Sequence, residues 1–174
     1  MHVSRRSAVA ALAVAGLAGS AASAVTASGH NTGTGSRREH RGEHRGKALL
    51  KTTLAPSVPT DPAIDGVNPG GVPWVLARGE ARLRADGDLR VKVRGLLIPS
   101  GQFAGTTGPV TTVTASLYCG GTVVGTTPSA PLSSHGDADL DGMVTVPAKC
   151  LAPTVLVHPN GGAGAYIAAS GFGG

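Results

Sequence analysis

The chain has 174 residues, with 15 Lys and Arg against 10 Asp and Glu and a formal net charge of +5. With two cysteines and 3% aromatic residues, it lacks the ligands of a four-cysteine zinc site and has few side chains on which sugars could stack. The charge is concentrated early, because residues 25–53 hold six Lys and Arg against two Asp and Glu, whereas the chain from Leu54 onward holds seven against eight. A nucleic-acid binder needs a basic face of its own, so this balance predicts no specific nucleic-acid partner for the folded part.

The first 24 residues are predicted to be a cleaved signal peptide. Arg5 and Arg6 precede the apolar run AVAALAVAGLA, and the small residues ASA then end at Ala24. This is the layout of a secretory signal, with Ala27 as the second choice of cleavage site. The run is too short and too rich in alanine to span a bilayer. We therefore expect a secreted, extracellular protein with no transmembrane segment in its mature form, exported by the general or the twin-arginine route.

Residues 25–71 are predicted to form a disordered basic and proline-rich linker. Its first part, SGHNTGTGSRREHRGEHRGK, is polar and glycine-rich, and such a segment cannot bury enough apolar surface to fold. Five prolines follow between Leu54 and Pro73, which favours an extended chain. We expect residues 37–51 to hold the protein near an anionic cell-surface polymer or lipid head groups. The cations of this surface tether are Arg37, Arg38, Arg41, Arg45 and Lys47.

The tether also contains His40-Arg41-Gly42-Glu43-His44, which matches the H-x-x-E-H pattern of one class of zinc proteases. Zinc catalysis needs both histidines on one face of a rigid helix, and the glycines and the missing apolar face argue against such a helix. A solvated cationic segment is the favoured interpretation, with loose metal binding by the two histidines as the alternative.

Residues 72–174 are predicted to be an all-β domain. Apolar residues recur there with period two, and Gly or Pro interrupts them every eight to twelve residues or so. This pattern predicts an immunoglobulin-like antiparallel β-sandwich of about seven or eight short strands, with no substantial helix. Trp74 stands just ahead of the strands and is expected to fill the core, since the chain offers few other large side chains.

The clearest unit is a hairpin in EARLRADGDLRVKVRG, Glu80 to Gly95. Opposite residues of a hairpin share a face, and only a three-residue loop, Ala85 to Gly87, keeps apolar positions opposite apolar ones. That loop is a type I turn followed by a left-handed glycine. It sets Leu83 against Leu89 and Arg82 against Arg90, so the cations lie on the outward face, which is either an ordinary solvated face or a surface for an anionic partner.

Further strands are predicted in PVTTVTASLYC, TVVGT, TVLVH and YIAAS. In the first of these, Val113, Ala115, Leu117 and Cys119 are expected to point inward. Cys119 and Cys150 are the only cysteines, and an exported chain meets an oxidising compartment, so we expect them to form a disulfide.

The segment DADLDG, Asp137 to Gly142, has two mutually exclusive interpretations. Asp137, Asp139 and Asp141 match the first oxygen positions of a calcium loop, but position 12 falls on Ala148 rather than glutamate. On a strand, the three carboxylates would be spaced by nearly 7 Å and could not converge on one ion. We favour a strand beginning near Ala138 and keep calcium as the alternative cofactor, with none expected otherwise.

Ser133, Ser134, His135 and Asp137 supply the residue types of a serine hydrolase, yet they lie in one loop without a G-x-S-x-G elbow. The sequence therefore favours a non-enzymatic binding or structural module loosely held at the cell surface, with an unknown protein partner. The alternatives are a calcium-dependent binding or adhesion domain using Asp137–Gly142 and a secreted hydrolase.

Overall fold

A computed structural model describes residues 46–173, which form an all-β domain without helices. None of these residues belongs to a helix long and apolar enough to cross a membrane. The predicted signal peptide, the linker up to residue 45, and His40 and His44 lie outside the described residues. The strands are β1 (Ala48–Pro56), β2 (Asn68–Pro69), β3 (Arg78–Arg84), β4 (Asp88–Arg94), β5 (Thr112–Cys119), β6 (Thr122–Thr126), β7 (Ala130–Pro131), β8 (Ala138–Met143), β9 (Thr154–Pro159), β10 (Ala165–Tyr166) and β11 (Ala168–Ser170).

Strand β1 corrects the predicted domain boundary. Residues 48–56 were expected in the linker, but they form a nine-residue strand that pairs with β3 on one side and β11 on the other. Apolar and polar residues alternate only weakly in ALLKTTLAP, because both ends of the segment are apolar. The pairing with β3 also shifts register between Ala48 and Leu50. The folded part therefore includes at least residues 48–71, which the sequence assigned to the linker.

Nine strands form one antiparallel sheet that is nearly barrel-shaped. Eight of them follow the order β6-β5-β9-β11-β1-β3-β4-β8, and β7 pairs with β5 beside this path. The two ends approach each other, since a Cβ atom on Gly142 of β8 would lie 2.9 Å from Cα of Thr127, just past β6. We call β1, β3, β4 and β8 the first half-sheet, and β1, β11, β9, β5, β6 and β7 the second half-sheet. β1 belongs to both.

The core fills the space between the two half-sheets. Alternate residues of β3 and β4 point into it, and Leu89, Val91 and Val93 have no exposed surface. From the second half-sheet, Val113, Ala115 and Leu117 meet them, as the period-two pattern predicted. Trp74 is 3% exposed and packs in the same cluster, which confirms its predicted place in the core.

The outer face of the second half-sheet is covered by residues 57–70, which we call the strap. Its Val67 packs with Tyr118, Leu156, Tyr166 and Ala169 in a second apolar cluster. The Tyr166 hydroxyl donates to the Pro62 carbonyl at 2.8 Å. Ser116 of β5, which the alternation of that strand predicts to point outward, lies opposite Leu156 of this cluster and is buried.

The β3–β4 hairpin has the predicted three-residue loop. Leu83 pairs with Leu89, Ala81 with Val91 and Arg82 with Arg90. Gly87 has a φ of 91°, and its N–H donates to the Arg84 carbonyl at 3.0 Å. The predicted disulfide is also confirmed, and it joins Cys119 at the end of β5 to Cys150 before β9.

Gly87 makes the hairpin testable. Its left-handed backbone disfavours any side chain, and a Cβ atom there would also collide with the Val144 carbonyl oxygen. We expect Gly87→Ala to lower the free energy of unfolding by about 1–2 kcal/mol through backbone strain and by about 1–3 kcal/mol more through the forced shift. Urea denaturation measures this loss.

Gly101→Ala is the matched control, because Gly101 has a similar φ of 81° but no atom within 4 Å of the added methyl group. It should show the backbone cost alone. Equal losses in the two variants would contradict the close approach of the hairpin loop to Val144.

Candidate functional site

The outer face of the first half-sheet carries most of the charge of the described chain. Residues directly opposite each other in a sheet share a face, and the pairing sets Lys51 beside Arg82, Arg82 beside Arg90, and Arg90 beside Asp141. The next row holds Glu80, Lys92 and Asp139 in the same way. Seven of the nine Lys and Arg residues within 46–173 lie on these strands: Lys51, Arg78, Arg82, Arg84, Arg90, Lys92 and Arg94.

Ion pairs on this face are concentrated at its β8 side. Arg94 donates from Nη2 to both carboxylate oxygens of Asp139 at 2.9 Å, and from Nη1 to the Ala138 carbonyl at 3.0 Å. Arg90 Nε lies 3.1 Å from Asp88 Oδ2 and 3.3 Å from Asp141 Oδ1. The acids of β8 therefore neutralise the cations of β4 that lie next to them.

The β1 side of the face has cations without matching acids. Among residues 46–173, Lys51 and Arg82 have no carboxylate within ion-pair distance; Lys92 on β4 has none either, although Glu80 and Asp139 stand opposite it on the neighbouring strands. Arg82 is flanked by Lys51 on one side and Arg90 on the other. Like charges directly opposite each other on a sheet repel, so Lys51, Arg82 and Arg90 form a row of positive charge on this part of the face.

These cations surround a small cleft of about 150 Å³. Glu80 is the single acid in its lining, and the backbone of Ala81 forms part of its wall. Arg84 reaches the cleft from a recessed position, because its side chain is only 11% exposed and Ala48 stands opposite it on β1. The cationic lining residues are Lys51, Arg82, Arg84, Arg90 and Lys92.

This face corrects one premise drawn from the sequence. The folded part is close to neutral as a whole, but its cations are gathered on one surface, with four acids, Glu80, Asp88, Asp139 and Asp141, among them. A charge count along the chain does not reveal this grouping. Lys51 on β1 is brought beside the cations of the β3–β4 hairpin by strand pairing, although the two elements are separated in sequence by more than twenty residues. The outward alternation in the hairpin was the signal that located most of the face.

Residues Ala138–Met143 form a strand, the interpretation favoured from the sequence, and this geometry gives no support to the calcium-loop alternative at Asp137–Gly142. Ala138 and Leu140 point into the core while Asp139 and Asp141 are exposed. Each carboxylate has its own protein partner: Asp139 binds Arg94, Asp141 binds Arg90, and Asp137 accepts from the Gly95 N–H at 2.9 Å. No cluster of metal-ligating side chains occurs in the part of the chain that the structure describes.

The residues proposed for a hydrolase do not assemble a triad in this loop. The Ser133 hydroxyl accepts from the N–H groups of His135 and Asp137 at 3.3 and 3.1 Å. The Asp137 carboxylate is directed to Gly95 rather than to the histidine. These bonds give Ser133 and Asp137 the role of turn-forming groups.

The second histidine, His158 on β9, has no exposed surface. Its Nδ1 is 2.8 Å from the Ala165 carbonyl, which requires the proton on Nδ1, and its Nε2 has no partner among the described residues. Burial lowers the pKa of His158, and the bond to Ala165 opposes this effect only in part. The neutral imidazole is therefore the form that fits the fold.

The predicted tether is only partly visible. Arg37, Arg38, Arg41 and Arg45 lie outside the described residues, and Lys47 has an exposed side chain while its carbonyl accepts from the Ala85 N–H at 2.9 Å. Lys47 therefore stands next to the hairpin loop, at one end of the cationic face.

Comparison with protein families, with curated proteins and with solved structures finds no match to this chain. Its function has to be inferred from the residues of the face itself.

Calcium should not stabilise the protein, because the carboxylates of β8 are directed along a strand and are paired with arginines. We expect the same melting temperature with calcium and with a chelator, measured by differential scanning fluorimetry. A calcium-dependent rise that disappears in a double Asp139→Asn, Asp141→Asn variant would restore the ion-binding interpretation.

Buried His158 predicts a loss of stability in mild acid. Its folded pKa lies below the unfolded value of about 6.5, so its contribution is complete above pH 6.5 and is lost as the pH falls through the folded pKa. The melting temperature between pH 7.5 and 5.5 should fall less in His158→Gln than in the parent. His135→Gln, at an exposed histidine, is the control, and equal slopes in the parent, His158→Gln and His135→Gln would refute this assignment.

Proposed function

We propose that this protein is a secreted, non-enzymatic binding module that docks on an anionic polymer of the cell surface through the outer face of its first half-sheet. The observation that carries the proposal is the grouping of seven of the nine described cations on that face, with its β1 side lacking neutralising acids. An exposed basic surface attracts anionic partners and raises their local concentration.

The predicted tether supports the same function. Residues 37–45 add four arginines directly before Gly46, and Gly46 lies against Asp86 of the hairpin loop, since a Cβ atom there would be 3.0 Å from the Asp86 nitrogen. The chain thus enters the domain at one end of the cationic face. Two linked basic elements bind a long polymer more tightly than either alone, because the second contact is intramolecular.

The outer face of the second half-sheet is a poorer surface for an anionic polymer. The strap covers the outer face of the second half-sheet, and its two acids, Asp61 and Asp65, lie there rather than on the basic face. The immunoglobulin-like arrangement stays a prediction for the fold, and the proposed binding does not depend on it. Binding by a charged face requires no reaction, which agrees with the non-enzymatic role expected from the sequence.

Removing the unpaired cations should weaken polymer binding. We expect the double variant Lys51→Gln, Arg82→Gln to elute from a column of immobilised polyphosphate at clearly lower salt than the parent. Neither side chain is paired with an acid, so both charges are free to bind the polymer, and both contacts are lost in the variant. Single variants give the charge-matched control: Lys51→Gln should lower the eluting salt more than Lys149→Gln, which removes the same charge from an exposed coil outside the face.

Equal elution of Lys51→Gln and Lys149→Gln would show that net charge, rather than the face, retains the protein. A deletion of residues 25–45 separates the tether from the face, and it has to stop before Ala48 because β1 begins there. If the deletion alone removes all retention, the face is not the docking surface. Retention on vesicles of anionic lipid but not on soluble polyanions would assign the face to a membrane instead.

A further inference from the structure

The cleft at the centre of the cationic face has the features of a site for one small oxyanion. It brings together five cations from three strands and a single carboxylate, Glu80. Its volume of about 150 Å³ lies below that of pockets for drug-sized ligands. A group that enters it has to be compact and highly charged.

Arg84 supplies a donor that the protein itself leaves unused. Its Nε is buried and has no hydrogen-bond partner among the described residues, since the closest carboxylate oxygen, Asp88 Oδ2, is 3.6 Å away. That distance is too long for a hydrogen bond. A buried donor without a partner lowers stability, and Arg84 is one of the residues that line the cleft, so its positive charge acts on an oxyanion seated there.

The positions of the donors favour a tetrahedral anion over a planar one. Arg82 and Arg84 lie on the same face of β3, Lys51 approaches from β1, and Lys92 from β4. One arginine can satisfy both oxygens of a carboxylate, whereas the three or four oxygens of a phosphate group can accept from several directions at once. Phosphate also carries more charge to offset the repulsion between Lys51 and Arg82.

We propose that the cleft lined by Lys51, Arg82, Arg84 and Lys92 is a phosphate-binding subsite, which recognises a phosphate group carried by the anionic polymer. This inference rests on the proposed function and names the ligand chemistry of its centre. Arg84 is recessed, so a phosphate on a flexible polymer reaches it more readily than one held in the plane of a membrane.

Inorganic phosphate is the direct probe. We expect it to raise the melting temperature of the full chain by several degrees at concentrations well above its Kd, with little effect of acetate at the same ionic strength. Arg84→Gln and Arg82→Gln should each lower phosphate affinity about tenfold or more in isothermal titration, because each removes a charged hydrogen bond. Lys149→Gln is the control, since Lys149 lies in an exposed coil outside the cleft and off the cationic face and should leave the affinity unchanged.

Arg82 is exposed, so Arg82→Gln reports on binding even if Arg84→Gln does not fold. An equal response to phosphate and acetate, or unchanged phosphate affinity in Arg82→Gln, would overturn the subsite. If polyphosphate retention still depends on Lys51 and Arg82 in that case, the proposed function stands without the subsite. If the parent protein is not retained on polyphosphate at all, the proposed function fails as well.

A second comparison identifies the source of the phosphate. Arg82→Gln should weaken binding to soluble polyphosphate more than co-sedimentation with phosphatidylglycerol vesicles, because only a flexible chain threads its phosphates into the cleft. An equal loss with vesicles would overturn the polymer assignment and place a lipid head group in the site.

Discussion

The fold depends on the pairing of one strand with two different neighbours. The first residues of β1 pair with β3 and its last residues, Leu54 to Pro56, pair with β11. Without β1, the β3–β4–β8 ladder would have no hydrogen-bonded connection to the second half-sheet. Because Lys51 lies on the same strand, the element that joins the two half-sheets also forms one wall of the cationic cleft.

Parity explains why the β3–β4 hairpin was predicted in detail. With a period of two, a loop one residue longer or shorter would place charged positions opposite apolar ones, so only the three-residue loop kept Leu83 opposite Leu89. The same reasoning identified β8, since Ala138 and Leu140 could be buried only if Asp139 and Asp141 were exposed. The disulfide followed from having two cysteines in a chain expected to be exported.

Other features depend on contacts that no local pattern contains. β1 resembled a linker because its burial comes from partners far along the chain, β3 and β11, rather than from its own alternation. The strap is rich in proline and polar residues, and only its packing on Tyr118 and Leu156 shows that it is part of the domain. Only part of the candidate site could be predicted from the sequence. The alternation of the hairpin placed Arg82, Arg90 and Lys92 on one face. That Arg84 is recessed and that Lys51 lies beside Arg82 follows only from the pairing of β1 with β3.

The acids of β8 have a consequence for the protein in solution. β8 ends the path of sheet pairing, and where residues 127–128 do not lie against it, a strand in that position offers free backbone groups to other chains. Asp139 and Asp141 are exposed along it, so two copies that approached strand to strand would bring like charges together. Charges of this kind discourage edge-to-edge association, and the arginines beside them keep the carboxylates in place. The acidic row that first suggested a metal site thus makes this sheet edge less favourable for pairing with a second copy of the domain.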